Sequence, residues 1–269
     1  SHLFQSLYME GGKNFYCYNG ASPLPSAMFS VKYMLSSNPV DESPLRTLVG
    51  SSNGNYLYRN NYCLPLGYMM SEKAIKGWES SMLDRIGSPN SLAQQLGAKG
   101  DMLYPATCTQ SQAAGDTTID ISEDGYYYAD YVTCNADSLT VSRDDGWTQQ
   151  YGKTTHRYLL DLGECKAGTK VHITNLNAET IEYHVYRLNF KAMCTAYETL
   201  SEQTMSLEKM TDRRIVGSID VRQAGRLILS VPADEGWSLY VDGKKTKIKP
   251  FADALIGVHL KEGTHKIEL

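Results

Sequence analysis

Gly50-Ser51-Ser52-Asn53-Gly54 has the GxSxG spacing of a nucleophile elbow, in which a strained strand-to-helix turn lifts a serine hydroxyl towards a histidine base. The surroundings argue against that chemistry. Asn55-Tyr56-Leu57-Tyr58 alternates as a strand where an elbow needs a helix, and the paired glycines and asparagines read as a loop. Carboxylates for glycoside hydrolysis could come from Asp144, Asp145, Asp234 or Glu235, yet acids standing directly before Gly-Trp are more simply the polar turn of a hairpin. Ser122-Glu123-Asp124-Gly125 and Asp144-Asp145 offer the hard oxygens that suit calcium, without the alternating ligand spacing of an EF-hand loop. The chain has no HExxH, no Walker loop and no GxGxxG opening a helix, and its six histidines are scattered. The residues therefore assign no catalytic group, no metal ligand and no cofactor.

Aromatic rings offer a different chemistry. Tyrosine outnumbers phenylalanine 19 to 5, and a phenol suits half-wet positions such as sheet faces and sugar platforms. Tyr126, Tyr128 and Trp147, with Trp237, could stack on the CH-rich face of a sugar ring while polar neighbours take its hydroxyls. Strand alternation sends Tyr127 to the face opposite Tyr126 and Tyr128, so one set of rings is expected in a core. The core reading is preferred for these residues, and a carbohydrate-binding platform of Trp147, Tyr126, Tyr128 and Trp237 is the functional alternative.

The elements that would position such groups come from a chain of 269 residues, 42% hydrophobic and 21% charged, which excludes disorder and permits two or three cores. A net charge of −4 lacks the basic excess that phosphate backbones attract, so nucleic acid is not an expected partner. No apolar run approaches the ~18 residues that span a bilayer, and the chain as given reads as soluble. It starts at Ser1 without an initiator Met or signal sequence, as expected for a segment of something longer. The six cysteines, Cys17, Cys63, Cys108, Cys134, Cys165 and Cys194, form no CxxC pair, so zinc clusters and redox dithiols are not expected and free thiols are.

Residues 1 to about 70 mix short β-like runs, Phe15-Tyr16-Cys17-Tyr18 and Ser30 to Leu35 among them, with turn residues. Ser88-Pro89 predicts a helix start with Ser88 as N-cap, and a second helix is predicted over 192–205. The most informative feature is an internal repeat. Ile119-Asp120-Ile121 followed by Gly125 matches Ile219-Asp220-Val221 followed by Gly225, and Asp144-Asp145-Gly146-Trp147 matches Asp234-Glu235-Gly236-Trp237. Each half closes on a strand, a Gly turn and a strand, expected to form a hairpin in both cases, with His172 and His265 in matching places as half-exposed strand residues. On this alignment Trp147 and Trp237 fill one structural niche twice. The expected fold is mainly β: two tandem jelly-roll-like β-sandwich units, 111–191 and 206–269, joined by a connecting helix over 192–205 and preceded by a mixed α/β portion over 1–110.

Three motifs in order carry a family resemblance. The closing segment Gly236-Trp237-Ser238-Leu239-Tyr240-Val241-Asp242-Gly243 through Leu269, the strand Ser30-Val31-Lys32-Tyr33-Met34-Leu35-Ser36, and the element Asn60-Asn61-Tyr62-Cys63-Leu64-Pro65-Leu66-Gly67-Tyr68-Met69 resemble the YfhO family of bacterial multi-pass membrane proteins. The resemblance implies a polytopic parent related in its membrane part to GT-C type glycosyltransferases, with this region on the extracytoplasmic side of the membrane. It further implies sugar decoration of cell-envelope polymers such as teichoic acid from lipid-phosphate-linked donors. No position here matches the family's expected catalytic acid, so none is carried over. The expected role is non-catalytic positioning of an envelope glycan or polymer beside the membrane-embedded site. The alternatives are a carbohydrate-binding module and a structural or protein-interaction domain at the membrane surface.

Overall fold

Period-two alternation and Gly-Asn-Asp turns dominate the chain, and strands follow from them. The computed structural model describes residues 2–7, 9, 19–40, 42–81, 84–132 and 134–269. The protein is mainly β, with several antiparallel sheets. The chain opens with α1 (His2–Ser6), α2 (Pro23–Met28), β1 (Tyr33–Ser36), β2 (Arg46–Ser52), β3 (Asn55–Asn60), β4 (Gly67–Met70), α3 (Glu72–Gly77) and α4 (Gly87–Gln95). A β-rich run follows: β5 (Leu103–Pro105), β6 (Cys108–Ala113), β7 (Asp116–Ile121), β8 (Gly125–Tyr131), β9 (Ser138–Arg143), β10 (Thr148–Gly152), β11 (Leu160–Cys165), β12 (Lys170–Thr174) and β13 (Tyr183–Leu188). After α5 (Phe190–Ser201) come β14 (Ser206–Thr211), β15 (Arg214–Val221), β16 (Gly225–Pro232), β17 (Leu239–Val241), β18 (Lys244–Thr246), β19 (Leu255–Leu260) and β20 (Gly263–Glu268).

The repeat is visible as topology. One five-stranded sheet runs β10-β9-β12-β7-β6 and a second runs β18-β17-β20-β15-β14, the same order displaced by eight strands. Beside the first lies the sheet β11-β8-β13-β5, and beside the second β19-β16-β4. The pair β11-β8 thus recurs as β19-β16, but the place that β13 takes against β8 is taken against β16 by β4, from far upstream. Ile119, Val141 and Val171 of one sheet and Tyr127, Leu160 and Val185 of its neighbour share one apolar cluster; Ile219 and Ile267 share another with Leu227, Val258 and Met69.

One part of the predicted alignment is corrected. Asp144-Asp145-Gly146-Trp147 forms the turn between β9 and β10, whereas Asp234-Glu235-Gly236-Trp237 lies in the connection between β16 and β17. The turn that corresponds to Asp144–Gly146 is Asp242-Gly243, between β17 and β18, so Trp147 and Trp237 occupy unrelated niches. Both acid pairs sit before Gly-Trp because each caps a tight turn: Asp145 Oδ1 accepts from Trp147 N at 2.9 Å, and Asp234 Oδ1 accepts from Gly236 N at 2.8 Å. Local turn chemistry recurred at two places, and the sequence likeness followed it. The two histidines lie on the corresponding strands β12 and β20 but at different register positions: His172 is opposite Thr118, whereas His265 is opposite Ile219, the place that Val171 takes opposite Ile119. His265 Nδ1 lies 2.8 Å from Asp242 Oδ2, a bond that raises the histidine pKa above its ordinary value.

A third cluster joins the two halves. Leu24 and Met28 of α2, Leu92 of α4 and Met193, Ala196 and Leu200 of α5 pack on Tyr126, Tyr128 and Leu188 from one sheet and on Tyr68, Met70 and Ile228 from another. Strands β4 and β8 are consequently buried on both faces, which explains why neither Gly67–Met70 nor Tyr126–Tyr128 shows a polar side. The helix predicted with Ser88 as N-cap begins two residues earlier. Ile86 is its N-cap residue, and Asp84 Oδ1 accepts from Gly87 N at 2.8 Å while Ser88 is buried. Helix α5 is capped by Asn189, whose side chain accepts from Ala192 N at 3.1 Å, and ends at Ser201; Thr204 instead bridges to Tyr68. The strand predicted at Phe15–Tyr18 and Cys17 lie outside the described residues. Cys63, Cys108, Cys134, Cys165 and Cys194 are free thiols.

Gly67 marks the tightest point of this arrangement. A Cβ there would stand 2.8 Å from Leu229 Cδ2 and 2.9 Å from Met205 Cβ, within a packed core. Gly67→Ala is expected to destabilise the protein by about 1–3 kcal/mol in urea denaturation, the range for overpacking. Gly50→Ala, with nothing within 4 Å of the added carbon, should be close to neutral in the same measurement.

Candidate functional site

The four aromatic residues read as a possible sugar platform are not brought together. Tyr126 and Tyr128 are 8% and 2% exposed, packed against the helices with ring centroids 5.4 Å apart. Trp147 packs against the β7–β13 cluster under the Arg143 guanidinium, 4.6 Å from its ring centroid, and Trp237 packs against the β15–β20 cluster. Three separate cores hold them, so no common ring face is offered. Gly50–Ser52 ends β2, and Asn53-Gly54, at φ 49° and 74°, is the two-residue turn of the β2–β3 hairpin. This left-handed pair suits a hairpin and leaves Ser51 on an extended strand, without the elbow. The Asp124 carboxylate is engaged by Ala167 N at 2.9 Å and Lys166 Nζ at 3.2 Å, and these bonds hold its pKa below the ordinary range. Among the described residues no group of three or more His, Cys, Asp or Glu side chains could hold a metal ion.

A concave site lies elsewhere, at the end of the β11-β8-β13-β5 sheet. It is a cleft of about 500 Å³ whose lining includes Tyr104, Tyr126, Glu164, Arg187, Asn189 and Phe190. Antiparallel register gathers these residues from distant parts of the chain. Arg187 pairs with Tyr104 across β13 and β5, and Glu164 pairs with Tyr126 across β11 and β8. Phe190 and Asn189 arrive from the start of α5. Arg187 crosses β8 over Gly125, where a Cβ would stand 2.5 Å from its Nε, and bonds to the Glu123 carboxylate and to the Asp124 carbonyl oxygen. The guanidinium is thereby fixed at the cleft wall. Glu164 is exposed, and Tyr104 and Phe190 are half-buried, so an acid and two rings face the same opening.

Pro44 and Leu45 close the other side, and a buried polar node holds them there. Arg46 Nη2 donates to Tyr126 Oη at 2.6 Å and to Asp161 Oδ2 at 2.8 Å, and Tyr126 Oη donates to the same oxygen at 2.8 Å. Burial pushes the Tyr126 phenol well above its ordinary pKa, which keeps the proton that this bond needs. Tyr151 Oη donates to the Asp161 carbonyl at 2.6 Å, and Gly163 N to Asp161 Oδ1 at 2.9 Å, so the acid is held from several sides. The root of β2 is thus tied to β8 and β11 by an ion pair whose side chains are 10% and 25% exposed.

A family model described as Bacterial membrane protein YfhO matches residues 1–269. The chain belongs to the YfhO family. No match is found among curated proteins. No helix among the described residues is long and apolar enough to cross a membrane. The three motifs behind the resemblance are structural in this member. Ser30–Ser36 holds β1, Asn60–Met69 delivers β4, and the closing segment supplies β17 to β20.

The cleft was not legible in the sequence, because Tyr104, Gly125, Glu164 and Arg187 share no spacing pattern. The nearest signal was Gly125 within the repeat, whose missing side chain makes room for Arg187. For the node, Arg46→Met alone is expected to cost about 2–3 kcal/mol by leaving Asp161 and Tyr126 without their cation. Arg46→Met with Asp161→Leu should cost less than the sum of the two single changes, by roughly 1–3 kcal/mol in a denaturation double-mutant cycle. Additive costs would show that the ion pair is not the tie described.

Proposed function

We propose that this chain is a non-catalytic, extracytoplasmic part of a multi-pass membrane protein of the YfhO family, and that it positions a cell-envelope glycan or polymer for sugar transfer at the membrane. The observation that carries the reading is the cleft, in a chain belonging to a family of bacterial membrane proteins. Tyr104 and Phe190 offer rings for the CH face of a sugar, and Glu164, Arg187 and the Asn189 side chain supply an acceptor and donors for hydroxyls. Its 500 Å³ is the size of a site for one or two sugar units, which fits weak binding of a repetitive polymer better than capture of a whole chain. The two sheet pairs are read as jelly-roll-like sandwiches that carry the site. This last point is fold analogy and assigns no ligand by itself.

A glycan array on the 269-residue chain tests the reading, followed by titration of any ligand found. Binding is expected to fall at least ~10-fold in Tyr104→Ala, as for loss of an aromatic contact at the centre of a site. Glu164→Gln is expected to weaken it as well. Binding that is untouched by these changes but lost in Trp147→Ala or Trp237→Ala would move the site to the tryptophans. The chain alone should transfer no sugar from a lipid-linked donor, and deleting it from the full-length protein should impair transfer. Robust transfer or hydrolysis by the isolated chain would overturn the non-catalytic assignment, and unimpaired transfer after deletion would remove the positioning role.

A further inference from the structure

We propose that the outer face of the β1-β3-β2 sheet rests on an anionic phospholipid surface. Five of the ten large apolar side chains that stand exposed among the described residues belong to this one small sheet: Tyr33, Leu35, Leu48, Val49 and Leu57. Register places the central ones together. Leu35 is opposite Leu57 and Tyr33 is opposite Arg59, so these four share a face, with Tyr33, Leu35 and Leu57 exposed by 51%, 69% and 36%. Alternation turns Tyr58 to the other side, where it is 2% exposed and its hydroxyl accepts from Val40 N at 2.8 Å. The sheet therefore leaves the face of Tyr33, Leu35, Leu57 and Arg59 bare, while Leu48, opposite Tyr58, belongs to the other face.

Charge selects the occupant. Lys32 Nζ lies 5.5 Å from the centroid of the Tyr33 ring, and Arg59 is exposed on the apolar face itself. Neither forms an ion pair with a described residue. Over residues 32–60 the other cation, Arg46, is committed to Asp161, the Glu42 carboxylate is tied to Leu48 N at 2.9 Å, and Asp41 lies outside the described residues. Leucines beside a tyrosine, with two cations close by that no described residue pairs, match the layering of a membrane interface, where apolar groups enter the acyl boundary, phenols sit at headgroup depth and cations meet phosphate. A protein partner fits less well, because the cores of protein interfaces are depleted in lysine. Membership in a family of membrane proteins places a bilayer within reach, and Pro44 and Leu45, which line the cleft, lead directly into β2. Docking of this face would hold the cleft close to the lipid.

Co-sedimentation of the 269-residue chain with vesicles of phosphatidylcholine containing roughly one-third phosphatidylglycerol tests the proposal. The chain is expected to bind these vesicles, to bind pure phosphatidylcholine less, and to be released as salt screens the charges. Lys32→Ala and Arg59→Ala should each lower the partition coefficient about fivefold, and Leu35→Asp with Leu57→Asp should abolish binding. The two cationic side chains hold no ion pair with a described residue, so their variants keep the test readable should the aspartate variants melt early. Absence of binding to the anionic vesicles, or binding undiminished in all four changes, would overturn the proposal. So would concentration-dependent self-association that the same substitutions abolish, which would assign the face to a second copy. Tyr104→Ala should leave vesicle binding unchanged, which separates failure of this inference from failure of the glycan reading.

Discussion

A four-residue strand with hydrogen bonds on both sides determines how the rest of the protein is assembled. Gly67–Met70 pairs with Arg226–Leu229 along one edge, while on the other Met69 N donates to the Gln203 carbonyl and Met205 N to that of Gly67. Its side chains divide between two cores: Tyr68 and Met70 enter the helical cluster, and Met69 enters the cluster between the last two sheets. Backbone groups so placed have no water to turn to, and withdrawing the strand would orphan them on two neighbours at once. The absence of a side chain at Gly67 is the steric condition for this closeness. With a Cβ the strand could not seat against Leu229 and Met205.

Two sheet pairs of common topology therefore differ at one position. In the first, β13 completes the inner sheet from its own stretch of chain; in the second the completing strand comes from more than 130 residues upstream, a separation read from the Gly67–Met70 and Arg226–Leu229 pairing. The helices that follow β4 and β13 pack together in the space between the sheet pairs, so one apolar layer serves both. The cleft depends on this. One wall is the end of the β8 and β13 sheet, another is the start of α5, and the third is the Pro44–Leu45 segment, held by the Arg46–Asp161–Tyr126 node. Strands, helix and loop come from three regions of sequence, and their relative placement follows from the shared core.

What could be read in advance divides along physical lines. Alternation and glycine turns are local, so the mainly β character and the strand after Gly54 were legible from residues alone. The hairpins expected at the close of each half are not formed: β11 pairs with β8 while β12 pairs with β7 and β9, and β19 pairs with β16 while β20 pairs with β15 and β17, so each Gly turn carries the chain from one sheet to its neighbour. The repeat was legible wherever hydrophobic alternation carried it, at Ile119–Ile121 against Ile219–Val221. It misled at Gly146-Trp147, where turn composition recurred without common topology. The run Tyr126–Tyr128 was ambiguous for a definite reason: a strand buried on both faces shows no polar phase, and only the tertiary structure reveals that β8 has a core on each side. Long-range pairing left almost no local trace. Nothing near Gly67 in sequence announces Leu229, and nothing in the spacing of Tyr104, Glu164 and Arg187 announces a common cleft.

Native-state hydrogen exchange on the whole chain addresses the central claim directly, because it measures the free energy of opening at individual amides. If β4 is an integral strand, the amides of Tyr68, Met69 and Met70 and those at the centre of β16 will exchange only through one shared opening, with equal free energies that fall together as denaturant is added. Exchange of the β4 amides through a local opening, while β16 and β19 stay protected, would contradict the account and make β4 an appendage on a unit that stands without it.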